Sequence, residues 1–248
     1  MSERPRRPPR PPEPPLPDEV SGRELDRSVR DQLASLSTVN AGLVARHLVM
    51  TGRLLDEDPD RAYEHAMAAQ RRAGRVGAVR EAAGLAAYAT GRYAEALAEL
   101  RAARRISGDE SVLPVLADCE RGLGRPEKAL ALAASPEARS LDTAGQVEMT
   151  IVASGARRDL GQPEAAALLL RGPELRPDLR RPWSARLFYA YADAVLDAGR
   201  EDEARAWFAH AVEADTAGET DAAERLAALQ GVSFPDDEPD HVPDAPGS

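Results

Sequence analysis

One cysteine, Cys119, and one lysine, Lys128, occur in 248 residues, and aromatic side chains make up only 4% of the chain. A lone cysteine rules out an internal disulfide and a cysteine-pair zinc site, and it fits a reducing compartment. Runs rich in Val, Ile, Thr and Tyr are missing, which argues against a β-sandwich or barrel. No apolar run reaches the roughly 20 residues needed to cross a bilayer. The N-terminal stretch lacks the apolar core of a signal peptide. A basic excess is lacking too: 42 acidic residues face 32 basic ones, for a net charge of −10. Phosphate neutralisation supplies most nucleic-acid affinity, so this balance argues against such a partner. The expectation is a cytoplasmic protein with no nucleic-acid or membrane partner.

What the chain does have is Ala, Leu, Arg and Glu, the residues of long helices. With 43% hydrophobic residues it has enough apolar material for one domain or one repeat array. Residues 1–17 hold eight prolines and four arginines. Proline fixes φ and lacks a donor, so this segment is expected as an extended or disordered tail. The spacing Pro8-x-x-Pro11 leaves open a second use, docking into an aromatic groove on a partner. Residues 233–248 are acidic and carry no basic residue, and they read as a second disordered tail. Between the tails, residues 18–232 form the expected folded body. Its first helix is expected from about Pro17 to Leu36, because Val20, Leu25, Val29, Leu33 and Leu36 recur at helical spacing.

The body repeats itself. Glycines at Gly91, Gly124, Gly161 and Gly199 are 33, 37 and 38 residues apart, and five residues after each stands Ala96, Ala129, Ala166 or Ala204. Glycine suits a left-handed helix end, and Pro126 and Pro163 suit the first position of the helix that follows. Glu95, Glu127, Glu164, Asp202 and Glu203 lie near those starts, where the helix dipole favours negative charge. Alanine at the recurring position lets two antiparallel helices approach closely. A fifth unit is expected to turn at Gly52 through a longer loop, with Ala62 as its matching alanine.

This pattern resembles the tetratricopeptide repeat, a helix–turn–helix unit of about 34 residues. The unit around Gly91 carries it best, through Gly84, Ala96, Ala103 and Gly91-Arg92-Tyr93. The unit around Gly199 matches with Ala192, Ala204, Phe208 and Ala211, and the unit around Gly52 keeps Ala45, Ala62, Ala66 and Ala69. The units around Gly124 and Gly161 have proline where the family has the turn tyrosine, and the family's large aromatic near the start of the first helix is absent from most units. The segments from Gly22 to Asp26 and from Trp183 to Asp193 are similar to tetratricopeptide proteins of high-GC Gram-positive bacteria. The resemblance covers about residues 38–215 and implies an all-α protein. It would be a right-handed α-solenoid of about five helix pairs, closed by N- and C-terminal capping helices, the last near Asp221 to Leu229.

The resemblance also implies a concave face built from the first helix of each pair. Its polar and aromatic positions fall on Arg46, Tyr88, Asp118, Arg121, Arg158, Tyr189 and Asp193. Three arginines and two tyrosines there suit an acidic, partly aromatic peptide or protein partner. Pairing among themselves is the competing use. Asp118 and Arg121, three apart on one helix, would form an ion pair worth about 0.2–0.5 kcal/mol. The family's carboxylate-gripping Lys and Asn have no counterpart here, because Lys128 and Asn40 fall elsewhere.

Three motifs fail on inspection. Asp56, Asp58 and Asp60 begin like a calcium loop, but Arg61 stands where glycine is needed and Met67 where the closing glutamate is needed. Gly122 and Gly124 lack the third glycine and the preceding strand of a dinucleotide site. His47, His65, His210 and His241 form no metal-binding spacing. Cys119 reads as a buried, inert thiol. No nucleophile elbow or phosphate loop is present. The expectation is therefore a binding scaffold without catalytic residues, metal or cofactor. A self-assembling module is the alternative, and an enzyme with a site assembled from distant residues is a remoter one.

Overall fold

The computed structural model describes residues 12–231. The tail expectations for residues 1–11 and 233–248, with Pro8, Pro11 and His241, lie outside them. Among the described residues the protein is all-α: thirteen helices and no strand. No helix there is long and apolar enough to cross a membrane. The chain divides into two compact units, Met1–Ala156 and Arg157–Ser248.

In the first unit a short α1 (Arg27–Leu33) precedes three helix pairs: α2 (Thr38–Leu54) with α3 (Pro59–Ala73), α4 (Gly77–Ala89) with α5 (Tyr93–Ser107), and α6 (Leu113–Gly122) with α7 (Pro126–Ala133). Each helix from α2 to α7 packs on the next, and α4 also touches α2 and α6. A single turn, α8 (Pro136–Arg139), leads to α9 (Thr143–Asp159), whose last residues belong to the second unit. There α10 (Pro163–Leu170), α11 (Ser184–Asp197), α12 (Glu201–Ala214) and α13 (Ala222–Leu229) follow, α11 packing on α10, α12 on α11 and α13 on α12.

Four of the expected turns share one geometry. Gly91, Gly124, Gly161 and Gly199 have φ of +70°, +68°, +68° and +76°. Each glycine donates its amide to the carbonyl three residues back, and the next residue donates to the carbonyl five back, as in Arg92 N–H to Ala87 at 2.8 Å. This double bond satisfies the carbonyls left open at a helix end. The alanines Ala96, Ala129, Ala166 and Ala204 are all fully buried, as is Ala62. Gly84 packs under Leu100: a methyl on Gly84 would lie 2.5 Å from the Leu100 Cγ.

Two expectations are corrected. Gly52 is no turn but lies inside α2, which runs on to Leu54; the chain turns at residues 55–58, where the Asp58 side chain accepts the Arg61 amide at 3.2 Å and caps α3. The first helix is much shorter than its apolar spacing suggests, spanning only Arg27–Leu33. Its upstream half is irregular because Gly22, at φ +82°, passes so close to α2 that a methyl there would sit 2.7 Å from the Ala45 Cβ. Ser21 and Glu24 close a local turn beside it. The apolar residues still go inward: Leu33 is buried in a core that Leu25, Val29 and Leu36 also pack on, and Val20 is buried in a smaller cluster with Val49 and Met50.

The second unit is the aromatic one. Phe188 and Phe208 are fully buried, Trp207 stands edge-on to Tyr191 at 5.0 Å, and α13 lays Ala222 and Ala227 inward. The segment 171–183 before α11 carries no regular helix.

Two glycine substitutions separate seam from surface. Gly52 has nothing within 4 Å of an added methyl, so Gly52→Ala is expected to raise stability by about 0.5–1 kcal/mol through helix propensity. Gly84→Ala has the same propensity gain but must displace fully buried Leu100, and is expected to lose about 1–3 kcal/mol. Urea unfolding of the two variants reads both signs.

Candidate partner-binding surface

Of the seven residues read as a partner face, Arg46, Tyr88, Asp118 and Arg121 lie in the first unit, and Arg158, Tyr189 and Asp193 in the second. A register rule emerges within each unit. The residue three before one turn glycine meets the residue six before the next. In the first unit Tyr88 on α4 donates its hydroxyl to the Asp118 Oδ2 on α6 at 2.6 Å, while Arg121 holds the other oxygen at 2.7 Å. The Arg121 guanidinium in turn lies flat on Gly155 of α9, where an added methyl would sit 2.5 Å from the Arg121 Cζ. In the second unit Arg158 donates to Asp193 on α11 at 3.0 Å and to Asp197 at 2.6 Å. Arg225 from α13 stands 2.8 Å from the second Asp193 oxygen.

The electrostatics follow from these rungs. Burial pushes the Tyr88 phenol up, and the carboxylate of Asp118 adds to it, so the hydroxyl stays a donor. Burial works against the charge of Arg158, but its hydrogen bond to Asp197 and the attraction of Asp193 outweigh it and hold the group above its ordinary value. Tyr189 sits edge-on to Phe208 at 5.5 Å, and burial with a hydrogen bond to Asp221 pushes its phenol up.

Arg46 stands apart from the first-unit cluster. Its guanidinium donates to the carbonyls of Pro17 at 2.7 Å and Leu16 at 3.3 Å. Residues 12–17, expected as tail, therefore lie against the body, because Glu13 also meets Arg72 of α3 at 2.6 Å.

Several polar groups were not foreseen as partners. Tyr63 on α3 donates to Glu95 on α5 at 2.7 Å, with the Arg92 guanidinium 4.4 Å over its ring; burial first, then Glu95, pushes its phenol up to about 12. Glu120, 3% exposed, accepts from Arg101 at 2.7 Å and Arg125 at 3.5 Å. His47 and His65 are buried with their Nδ1 atoms 3.0 Å apart, so one ring proton serves both. The burial of His65 was readable in its place on the Ala62–Ala66–Ala69 stripe, but its pairing across 18 residues was not. Cys119 is fully buried, and burial, with Asp118 and Glu120 beside it, pushes its thiol up to about 12. Among the described residues no three metal-ligating side chains cluster. Asp58 is spent on its helix cap and Asp60 faces Arg92 at 3.5 Å.

No protein-family model matches the chain, and no curated protein matches it either.

The histidine pair makes stability depend on acid. Burial, then the neighbouring His47 and Arg61, pulls His65 from 6.5 down to about 4, and burial lowers His47 as well. The unfolded chain then binds a proton that the folded chain refuses, so stability is full above 6.5 and falls as pH drops toward 4. Urea titrations between these limits are expected to show this slope, and His65→Leu is expected to flatten it.

Proposed function

We propose that this protein is a tetratricopeptide-like solenoid that holds a protein or peptide partner on the first helices of its pairs. The observation that supports this most is the rung from one first helix to the next: Tyr88 to Asp118 in the first unit and Arg158 to Asp193 in the second. Within its own unit, each rung places polar side chains on neighbouring first helices, the arrangement that stacked helix pairs offer to a ligand. The partner that suits the first-unit rung is acidic and partly aromatic, because Arg121 carries a guanidinium and Tyr88 a phenol there; Arg158 and Tyr189 bring the same two groups to the second unit. The role is binding rather than catalysis, since the carboxylates of these rungs are engaged by arginine and tyrosine instead of standing beside a nucleophile.

The test uses an array of acidic, tyrosine-bearing peptides against the full chain. Arg121→Gln leaves Asp118 its bond from Tyr88, so the fold is expected to survive by circular dichroism. The best-binding peptide is expected to lose about tenfold in affinity, equivalent to roughly 1.4 kcal/mol. Equal binding by wild type and variant would sink the assignment of this face.

A second reading, self-assembly, is favoured by one feature of the second unit. Leu168 and Leu169 on α10 are 68% and 43% exposed, and Val212 on α12 is 37% exposed. Apolar surface of this kind marks an association site when it is contiguous. Sedimentation over rising concentration decides: a mass increase abolished by Leu168→Glu supports assembly, and a constant monomer mass removes it.

A further inference from the structure

Residues 12–17 make contacts of the kind a bound peptide makes. Four of the six are proline, so the segment is extended and has few amides to donate. The body meets it by what remains. Arg46 takes the carbonyls of Leu16 and Pro17. Arg72 takes one Glu13 oxygen through two nitrogens, at 2.6 and 3.2 Å, and is itself steadied by Asn40, which donates to the Arg72 carbonyl at 3.3 Å. The Leu16 side chain packs with Val20, Val49 and Met50. The hydrogen bond from Arg72 holds the Glu13 carboxyl below its usual range, as expected for a carboxylate gripped by arginine. A carboxylate anchor, an aliphatic anchor and a carbonyl clamp together read one short sequence, and a proline-stiffened segment loses little entropy in meeting them.

We propose that this seat on α2 and α3 is a recognition site for an extended, proline-rich peptide headed by a glutamate and followed by an aliphatic residue, and that the chain's own residues 13–17 fill it as a displaceable self-ligand. A competing segment of the same chemistry on a partner chain takes the seat by releasing the strap. The proposal goes beyond the partner wall at Tyr88, Asp118 and Arg121. It stands on the contacts of the strap, and it survives if that wall binds nothing.

The probe is a fluorescein-labelled peptide of sequence Pro-Glu-Pro-Pro-Leu-Pro-Asp, added to the full chain. A double variant, Glu13→Lys with Leu16→Ser, removes both anchors of the strap and opens the seat. The opened variant is expected to bind the probe at least about tenfold more tightly than wild type, because the internal competitor is gone. Adding Arg72→Gln to it, or replacing glutamate by glutamine in the probe, is expected to reverse the gain. An opened variant that keeps its helical signal and ignores the probe overturns the proposal, as does equal binding of the glutamine probe. Should the opened variant lose its helical signal, wild type decides. A dye on Pro12→Cys, beside the strap's Glu13, with Cys119 buried and inert, reports strap release as faster tumbling when unlabelled probe is added in excess. An unchanged dye signal overturns the proposal, and a dose-dependent change supports it.

Discussion

At the end of four first helices the chain must reverse within two or three residues while satisfying the carbonyls that the helix leaves open. A glycine at positive φ does both at Gly91, Gly124, Gly161 and Gly199, with the same pair of backbone hydrogen bonds each time. Because the turn is fixed, the second helix always leaves in the same direction, and the residue five positions on always faces the first helix. That is why Ala96, Ala129, Ala166 and Ala204 are all fully buried. A larger side chain at this seam would separate the two backbones and strain the turn that set them. The turn also fixes the residue three before it, and this is how Tyr88, Arg121 and Arg158 come to reach toward the next first helix.

These features were legible in the sequence because they are local. A glycine, a small residue five later and an acidic helix start report on one turn of chain and need no knowledge of distant contacts. The reading failed where the same signals served another purpose. Gly52 has the spacing of a turn glycine, yet Arg53 and Leu54 continue α2, and the reversal falls to the Asp58 cap instead. The stripe from Val20 to Leu36 correctly identifies inward-facing residues but not their conformation. Burial requires only that apolar side chains reach the core, and the close pass of Gly22 over Ala45 makes an irregular path serve as well as a helix. The His47–His65 pair and the seat of Glu13 were illegible for a plainer reason. Each joins segments that only the folded chain brings together.

Arginine carries most of the long-range polar order. Arg80 reaches Glu99 from α4 to α5 at 2.6 Å, and Arg101 reaches Glu120 from α5 to α6 at 2.7 Å. Both carboxylates are buried, so each needs a partner more than the partner needs it: an unpaired buried carboxylate costs several kcal/mol or so, while the same pair at the surface is worth about 0–1 kcal/mol. Placing the charge of α5 against α4 and that of α6 against α5 penalises a slip between neighbouring helices, because a slip would strand Glu99 or Glu120. Alanine seams set how close the helices come, and these pairs set which residues face each other.

The faces proposed to hold a partner are under the same constraint. Their arginines are not waiting in water for a ligand; Arg121 and Arg158 already hold carboxylates, and Tyr88 already donates to one. If the face binds an acidic partner as proposed, the incoming carboxylate competes with Asp118 for Arg121. The Arg121–Asp118 pair is only 27% and 24% exposed, so giving it up costs more than the roughly 0–1 kcal/mol of a fully exposed pair. Displacing Tyr88 from Asp118 costs more, because both groups are partly buried and the phenol would be left without an acceptor. The cheaper route for the proposed ligand exchanges only the Arg121 contact and leaves the Tyr88 bond to Asp118 in place. A binding face of this kind would select for the position of the incoming carboxylate as much as for its charge.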